Sequence, residues 1–229
     1  MKETTFYVGT YTSGESKGIY EYSIKQNGEL KQQGLLANTS NPSFLAKSLD
    51  GKFLLAVNEN NEGTVTSFKI NNTGLDKINQ SSSGGAHPCH LIINEKGKVL
   101  VANYTGGNIG MLEINSSGEL SSLLDVQQHE GSGSHERQEK PHAHSVWQKS
   151  KNEEVIAVDL GTNELIFSMI DETDNKLKRQ QSLKMKEGAG PRHLAFHPKQ
   201  DWIYVINELD ATVSLLKKMS NTYDIVASF

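Results

Sequence analysis

Four stretches of this chain share one pattern and stand about fifty residues apart. They are Pro42-Ser43-Phe44-Leu45, Pro88-Cys89-His90-Leu91, Pro141-His142-Ala143-His144 and Pro191-Arg192-His193-Leu194. Their prolines are separated by 46, 53 and 50 residues, and four of the chain's five prolines occupy this one position. A period of that length constrains the fold strongly, because each unit must bury its apolar face against the next.

Each stretch leads through a short turn to an apolar run, at 53–59, 99–104, 155–160 and 202–208. Asn58, Asn103, Asp159 and Asn207 mark the ends of these runs. A third run follows a polar turn, at 63–70, 107–114, 163–170 and 211–218, and a fourth, more polar run closes each unit. The runs are short, rich in β-branched and aromatic residues, and bounded by Gly, Asn, Asp and Ser. No window keeps a 3.6-residue period. Four antiparallel strands per unit of about fifty residues is the pattern of a β-propeller blade.

The expected fold is therefore all-β: a β-propeller of four-stranded antiparallel blades, one domain over residues 1–229. Phe6–Tyr11, Gly18–Ile24 and Leu30–Thr39 match the second, third and fourth strands of a first blade without its innermost strand. With four complete units, 19 strands are expected. The last run reaches Phe229 with nothing left to supply the missing strand. The chain thus reads as about four and three-quarter blades of a larger ring, its C-terminal blades missing. Open propeller edges would then favour self-association. A five-bladed ring closed in another way is the alternative.

One segment, 129–140, breaks the period. It is Gly/Ser-rich and charged, which makes it a loop: either a solvated excursion or a rim loop over the central pocket.

The proline stretches begin the innermost strands and would line the central channel. That gathers His90, His142, His144, Arg192 and His193, while the ends of the second strands add Glu59, Asn103, Asp159, Asn207 and Glu208. His142 and His144 would share one face of an extended strand, whereas Arg192 and His193 would face opposite ways. A histidine at a fixed blade position can instead latch a neighbouring backbone. A His or Glu tuned near neutrality serves as a general base. An Arg holds a carboxylate or phosphate, or stabilises an oxyanion. The chain has no Gly-x-Ser-x-Gly elbow, and Cys89 has no evident activating neighbour in sequence, so water attack on a polarised carbonyl fits better than a covalent nucleophile. No metal-ligand spacing is present, and no metal or other cofactor is expected.

The net charge of −4 and the lack of a basic tract argue against a nucleic-acid partner. No run has the length of a membrane span, and the first residues carry no apolar signal core. The single cysteine, Cys89, forms no internal disulfide. Together these suggest a cytoplasmic protein without a membrane partner.

In combination the motifs resemble the seven-bladed β-propeller lactonases, the family of bacterial 6-phosphogluconolactonase and fungal carboxy-cis,cis-muconate cyclase. The resemblance is carried by Tyr7-Val8-Gly9-Thr10-Tyr11-Thr12, Asn41-Pro42-Ser43-Phe44-Leu45-Ala46, Ala56-Val57-Asn58-Glu59 and Val101-Ala102-Asn103-Tyr104-Thr105-Gly106-Gly107. Pro141-His142-Ala143-His144-Ser145, Asp159-Leu160-Gly161, Gly190-Pro191-Arg192-His193-Leu194 and Val205-Ile206-Asn207-Glu208-Leu209 complete it. It implies a lactone hydrolase opening a phosphorylated sugar lactone in carbohydrate (pentose phosphate) metabolism. A muconate-type lactonising cyclase and a non-enzymatic propeller binding module are the alternatives. It also implies a catalytic group of His144, Arg192 and Glu208. A second arginine belongs to a Ser-Asn-Arg motif of a later blade, which this sequence does not reach. Around them His90, His142, His193, Asn103 and Asn207 are expected to bind a small-molecule sugar lactone.

Overall fold

The computed structural model describes residues 3–149 and 153–229. Its strands form five sheets that follow chain order. The first is β1 (Thr4–Val8), β2 (Gly18–Ile24) and β3 (Leu30–Asn38). The second is β4 (Leu45–Lys47), β5 (Phe53–Asn58), β6 (Thr64–Asn71) and β7 (Gly74–Ser82). The third is β8 (Pro88–Ile93), β9 (Lys98–Asn103), β10 (Asn108–Glu113) and β11 (Asp125–Gln128). The fourth is β12 (Ala143–Gln148), β13 (Glu154–Asp159), β14 (Glu164–Asp171) and β15 (Lys176–Lys184). The fifth is β16 (Pro191–Phe196), β17 (Trp202–Asn207), β18 (Val213–Met219) and β19 (Thr222–Ser228). All pairings are antiparallel, and the described strands number the 19 expected. The first sheet has three strands, as the missing innermost run required.

The second strands hold the sheets face to face. In β5, Leu54 and Ala56 pack with Ile19 of the first sheet, while Phe53, Leu55 and Val57 pack with Leu91, Val99 and Val101 of the third. In β9, Leu100 and Ala102 meet Val146, Val155 and Ala157. In β13, Ile156 and Val158 meet Leu194, Ile203 and Val205. Alternation along each strand therefore feeds two interfaces at once. This is why these runs read as continuously apolar rather than alternating with polar residues.

The period-breaking segment is ordered by its own contacts. A single turn of 3-10 helix covers Glu136–Gln138, with His135 and Gln138 forming a capping box. The Gln138 side chain is fully buried and donates to Leu160 O at 2.7 Å. The segment returns against Gly161, where an added Cβ would lie 1.9 Å from Lys140 O. At its start His129 Nδ1 donates to Asp159 Oδ2 at 2.6 Å, both side chains buried. Among the described residues no helix is long and apolar enough to cross a membrane.

Candidate active site

The innermost strands deliver their side chains through a repeated β-bulge. Pro88 pairs with Asn103 and His90 with Ala102, leaving Cys89 unpaired. Ala143 pairs with Asp159 and Ser145 with Val158, leaving His144 unpaired. Pro191 pairs with Asn207 and His193 with Ile206, leaving Arg192 unpaired. Ser43 takes the equivalent place before β4, since Phe44 O accepts from Val57 N. A bulge re-aims the side chain of its extra residue. One residue from each of four blades, namely Ser43, Cys89, His144 and Arg192, thereby lines a single cavity of about 520 Å³. That size suits a small-molecule ligand. The bulge also breaks strict alternation, so Arg192 and His193 both reach the cavity, contrary to the ideal-strand expectation.

This series corrects the register read from the prolines. Four equivalent backbone bonds fix the alignment: Glu59 N to Asn41 O, Tyr104 N to His87 O, Leu160 N to His142 O and Glu208 N to Gly190 O, at 2.7–3.0 Å. His142 therefore corresponds to Asn41, His87 and Gly190, not to Ser43, Cys89 and Arg192. Ala143, not Pro141, holds the proline position, because the long loop runs two residues further before β12 begins. His142 does not line the cavity. It stacks on Tyr104 with ring centres 4.5 Å apart, its Nε2 is 3.2 Å from Glu139 Oε1, and its Nδ1 is 3.2 Å from Tyr104 O.

Three further expectations need the same correction. His90 is buried behind the wall among Phe44, Trp147 and His193, and its Nδ1 accepts from Val146 N at 3.4 Å. Burial, then the nearby His193 and His144, pushes its pKa down to about 3, so it is a neutral core residue. The fully buried Asn103 donates to Ser83 O and Asn108 Oδ1. Asn207 donates to Thr212 Oγ1 and Ser214 Oγ. Both asparagines fasten turns within and between blades and stay out of the cavity.

His144, Arg192 and Glu208 do converge. Glu208 Oε2 lies 3.2 Å from Arg192 Nη1 and 3.8 Å from His144 Nε2. Its other oxygen meets Arg137 Nη1 at 2.7 Å, and Arg137 Nη2 donates to Tyr104 OH at 3.3 Å. The period-breaking segment is thus a rim loop that carries an arginine to the site. Only the broken period signalled it in the sequence, and nothing there singled out Arg137. Tyr104 shares the repeat position of Glu208, as does Glu59.

Burial pushes the His144 pKa down to about 4. Arg192 and His193 add to that shift, while its own backbone and Glu208 oppose it. The imidazole is accordingly neutral at pH 7. Burial acts to raise the Glu208 carboxyl, but the Arg137 hydrogen bond and the Arg137 and Arg192 charges override it and hold the group below the usual carboxylate value. Burial lowers His193, helped by Arg192. Burial pushes the Cys89 thiol up, which disfavours a thiolate nucleophile. Arg137→Ala is expected to move the Glu208 carboxyl pKa upward, as carbon-detected NMR titration would show. An unmoved Glu208 would mean that Arg192 alone sets it.

Residues 5–226 match the family described as Lactonase, 7-bladed beta-propeller. The chain belongs to this propeller lactonase family. A 6-phosphogluconolactonase of Bacillus subtilis is 36% identical over 216 residues, spanning 92% of this chain and 61% of that protein. A 6-phosphogluconolactonase of Formosa agariphila is 30% identical over 97% of this chain and 67% of its own length. The solved periplasmic gluconolactonase of Pseudomonas aeruginosa superposes with a TM-score of 0.92 at 28% identity, over 99% of this chain and 68% of that one. The chain therefore spans about two thirds of the propeller lactonases it matches.

Proposed function

We propose that this site hydrolyses a lactone, and that its substrate is a phosphorylated sugar lactone of the 6-phosphogluconolactone type. The observation that carries the proposal is the neutral, cavity-facing His144 beside a carboxylate held by two guanidinium groups. His144 takes a proton from water as the water oxygen attacks the lactone carbonyl carbon. Arg192 faces the negative charge that develops on the carbonyl oxygen or on the substrate's own anion. Glu208, 3.8 Å from His144 Nε2, stabilises the imidazolium that forms. Collapse of the tetrahedral adduct breaks the ring C–O bond, and the imidazolium returns its proton to the departing ring oxygen. The product is the open hydroxy acid.

The direct test is hydrolysis of 6-phosphoglucono-1,5-lactone against its spontaneous rate. No acceleration would refute the reading. Arg192→Ala is expected to raise KM for the phosphorylated lactone more than for the unphosphorylated one, because an anion anchor is a ground-state contact. Arg192→Lys should restore this only in part, since an ammonium lacks the planar fork. Equal KM changes for both lactones would instead assign Arg192 to the carbonyl oxygen. The single cysteine supports a cytoplasmic location. Cell fractionation tests that point, since the P. aeruginosa relative is periplasmic.

A further inference from the structure

Glu59 and Glu208 occupy the same position in the second and fifth blades, yet their surroundings differ. Glu208 faces two arginines. Glu59 has no cationic side chain within 4 Å among the described residues; its partners are hydroxyls. Tyr11 OH donates to Glu59 Oε2 at 2.8 Å, and Ser43 Oγ donates to the same oxygen. Burial, then the bond to Glu59, pushes the Tyr11 phenol up to about 12, so the phenol keeps its proton and remains a donor. Both donors converge on Oε2. Oε1 accepts no hydrogen bond from the described residues, although a carboxylate has room for about four in all.

The same cavity therefore has two unlike walls. One, from the first two blades, carries an uncompensated carboxylate with open acceptor capacity. On the other, Arg137 and Arg192 outweigh Glu208 by one positive charge. An anion is repelled by the first wall and attracted by the second. A neutral hydroxyl, being a donor, is what the open Glu59 oxygen lacks.

We propose that Glu59, fixed by Tyr11 and Ser43, is a subsite for ring hydroxyl groups, so that a polyol lactone binds in one sense, hydroxyls on Glu59 and anionic end toward Arg137 and Arg192. This rests on the lactone-opening reading and adds substrate class and orientation to it. A hydroxyl-free lactone gives Glu59 nothing to bind.

The test compares D-glucono-1,5-lactone with δ-valerolactone, which has the same six-membered ring without hydroxyls. In Glu59→Gln the kcat/KM ratio of the first to the second should fall about 10- to 100-fold, the range for losing hydrogen bonds to a charged group. An unchanged ratio overturns the proposal. A second readout needs no turnover and therefore separates the two readings. D-glucitol, an uncharged polyol, is titrated into wild type and Glu59→Gln while the amide signals of Ser43 and Glu59 are followed by NMR. Binding that weakens about 10-fold in the variant supports the subsite even if neither lactone is hydrolysed, in which case only the lactonase reading fails. Lactone turnover without any glucitol-induced shift in wild type leaves the lactonase reading standing and removes the subsite. Glu59→Asp, which keeps the charge but draws the carboxylate back, repeats the comparison should the Gln variant melt early.

Discussion

His144→Ala is expected to lower kcat for lactone hydrolysis by roughly 10²–10⁴, the usual span for loss of a general acid or base. Of the two cavity candidates, His144 is the one free to meet a water, since both oxygens of Glu208 are engaged by arginines. Glu208 is tied to Arg137 and Arg192, which stabilise its anion and weaken its pull on a proton. His144 has no cation in bonding contact and is neutral at physiological pH because burial opposes its charge, although burial and the Arg192 charge also weaken its own pull on a proton. The sign of the pH dependence follows. A base must be unprotonated to act, so kcat/KM of the free enzyme should hold as pH falls through 6.5 and decline only near the His144 pKa of about 4. An acid limb near 6.5 would indicate that the acting imidazole is solvated. Full activity in His144→Ala, measured above the spontaneous opening of the lactone, would pass the role to Glu208. KM should change little, because the lost contact belongs to the transition state.

The blade pattern was legible because the second strands of the second, third and fourth blades are buried on both faces and have to read as unbroken apolar runs, as Phe53–Asn58, Lys98–Asn103 and Glu154–Asp159 do. Trp202–Asn207 reads the same way in sequence, although only Ile203, Val205 and Asn207 are buried and Ile206 is exposed. The register of the fourth blade was not legible. Proline marks the entry to an inner strand in three blades, where the preceding residues Asn41, His87 and Gly190 take left-handed backbone angles of 43°, 52° and 62°. In the fourth blade Ala143 stands in that position, and Pro141 belongs to the end of the rim loop. Aligning on proline therefore put His142 in the slot that His144 fills. The bulge itself leaves no trace in composition, since Ser43, Cys89, His144 and Arg192 share only their place. Asn103 and Asn207 looked like ligand contacts because they are polar residues at channel-facing strand ends. In a packed blade the same amides are consumed by neighbouring hydrogen-bond acceptors. Arg137 was out of reach because its position depends on the buried Gln138 and the cap at His135, not on a repeat.

Asp159→Ala is expected to cost about 3–5 kcal/mol of folding stability, because it removes a buried carboxylate and leaves its hydrogen-bond donors without an acceptor. The carboxylate is fully buried. It accepts from His129 Nδ1 at 2.6 Å, from His142 N at 2.9 Å and from Thr162 N at 2.8 Å. It thereby pins the start of the rim loop, the lead into β12 and the turn after β13 to one point. Alanine would strand all three donors in the interior. Asp159→Asn should cost less, about 1–3 kcal/mol, because Asn58, Asn103 and Asn207 occupy the equivalent strand ends. Its oxygen still accepts from the backbone, but its amide must donate to His129 Nδ1. That forces the His129 proton onto Nε2, which is buried without a partner among the described residues. The pH dependence separates this pair from the cavity histidines. Burial acts to raise the Asp159 pKa, but the bonds from His129, Thr162 and His142 override it and leave the group below its ordinary value. Its contribution is therefore complete above the unfolded value of about 3.9 and is lost as pH falls through the folded value. His144 and His90, depressed to about 4 and about 3, withdraw stability earlier, as pH falls below 6.5. Urea midpoints measured from pH 7 to pH 3 should keep wild type and Asp159→Asn parallel down to about pH 4 and then bring them together. Curves already converging between pH 6.5 and 5 would place the titration elsewhere, and a wild-type midpoint for Asp159→Ala would show that the buried pair does not hold the loop.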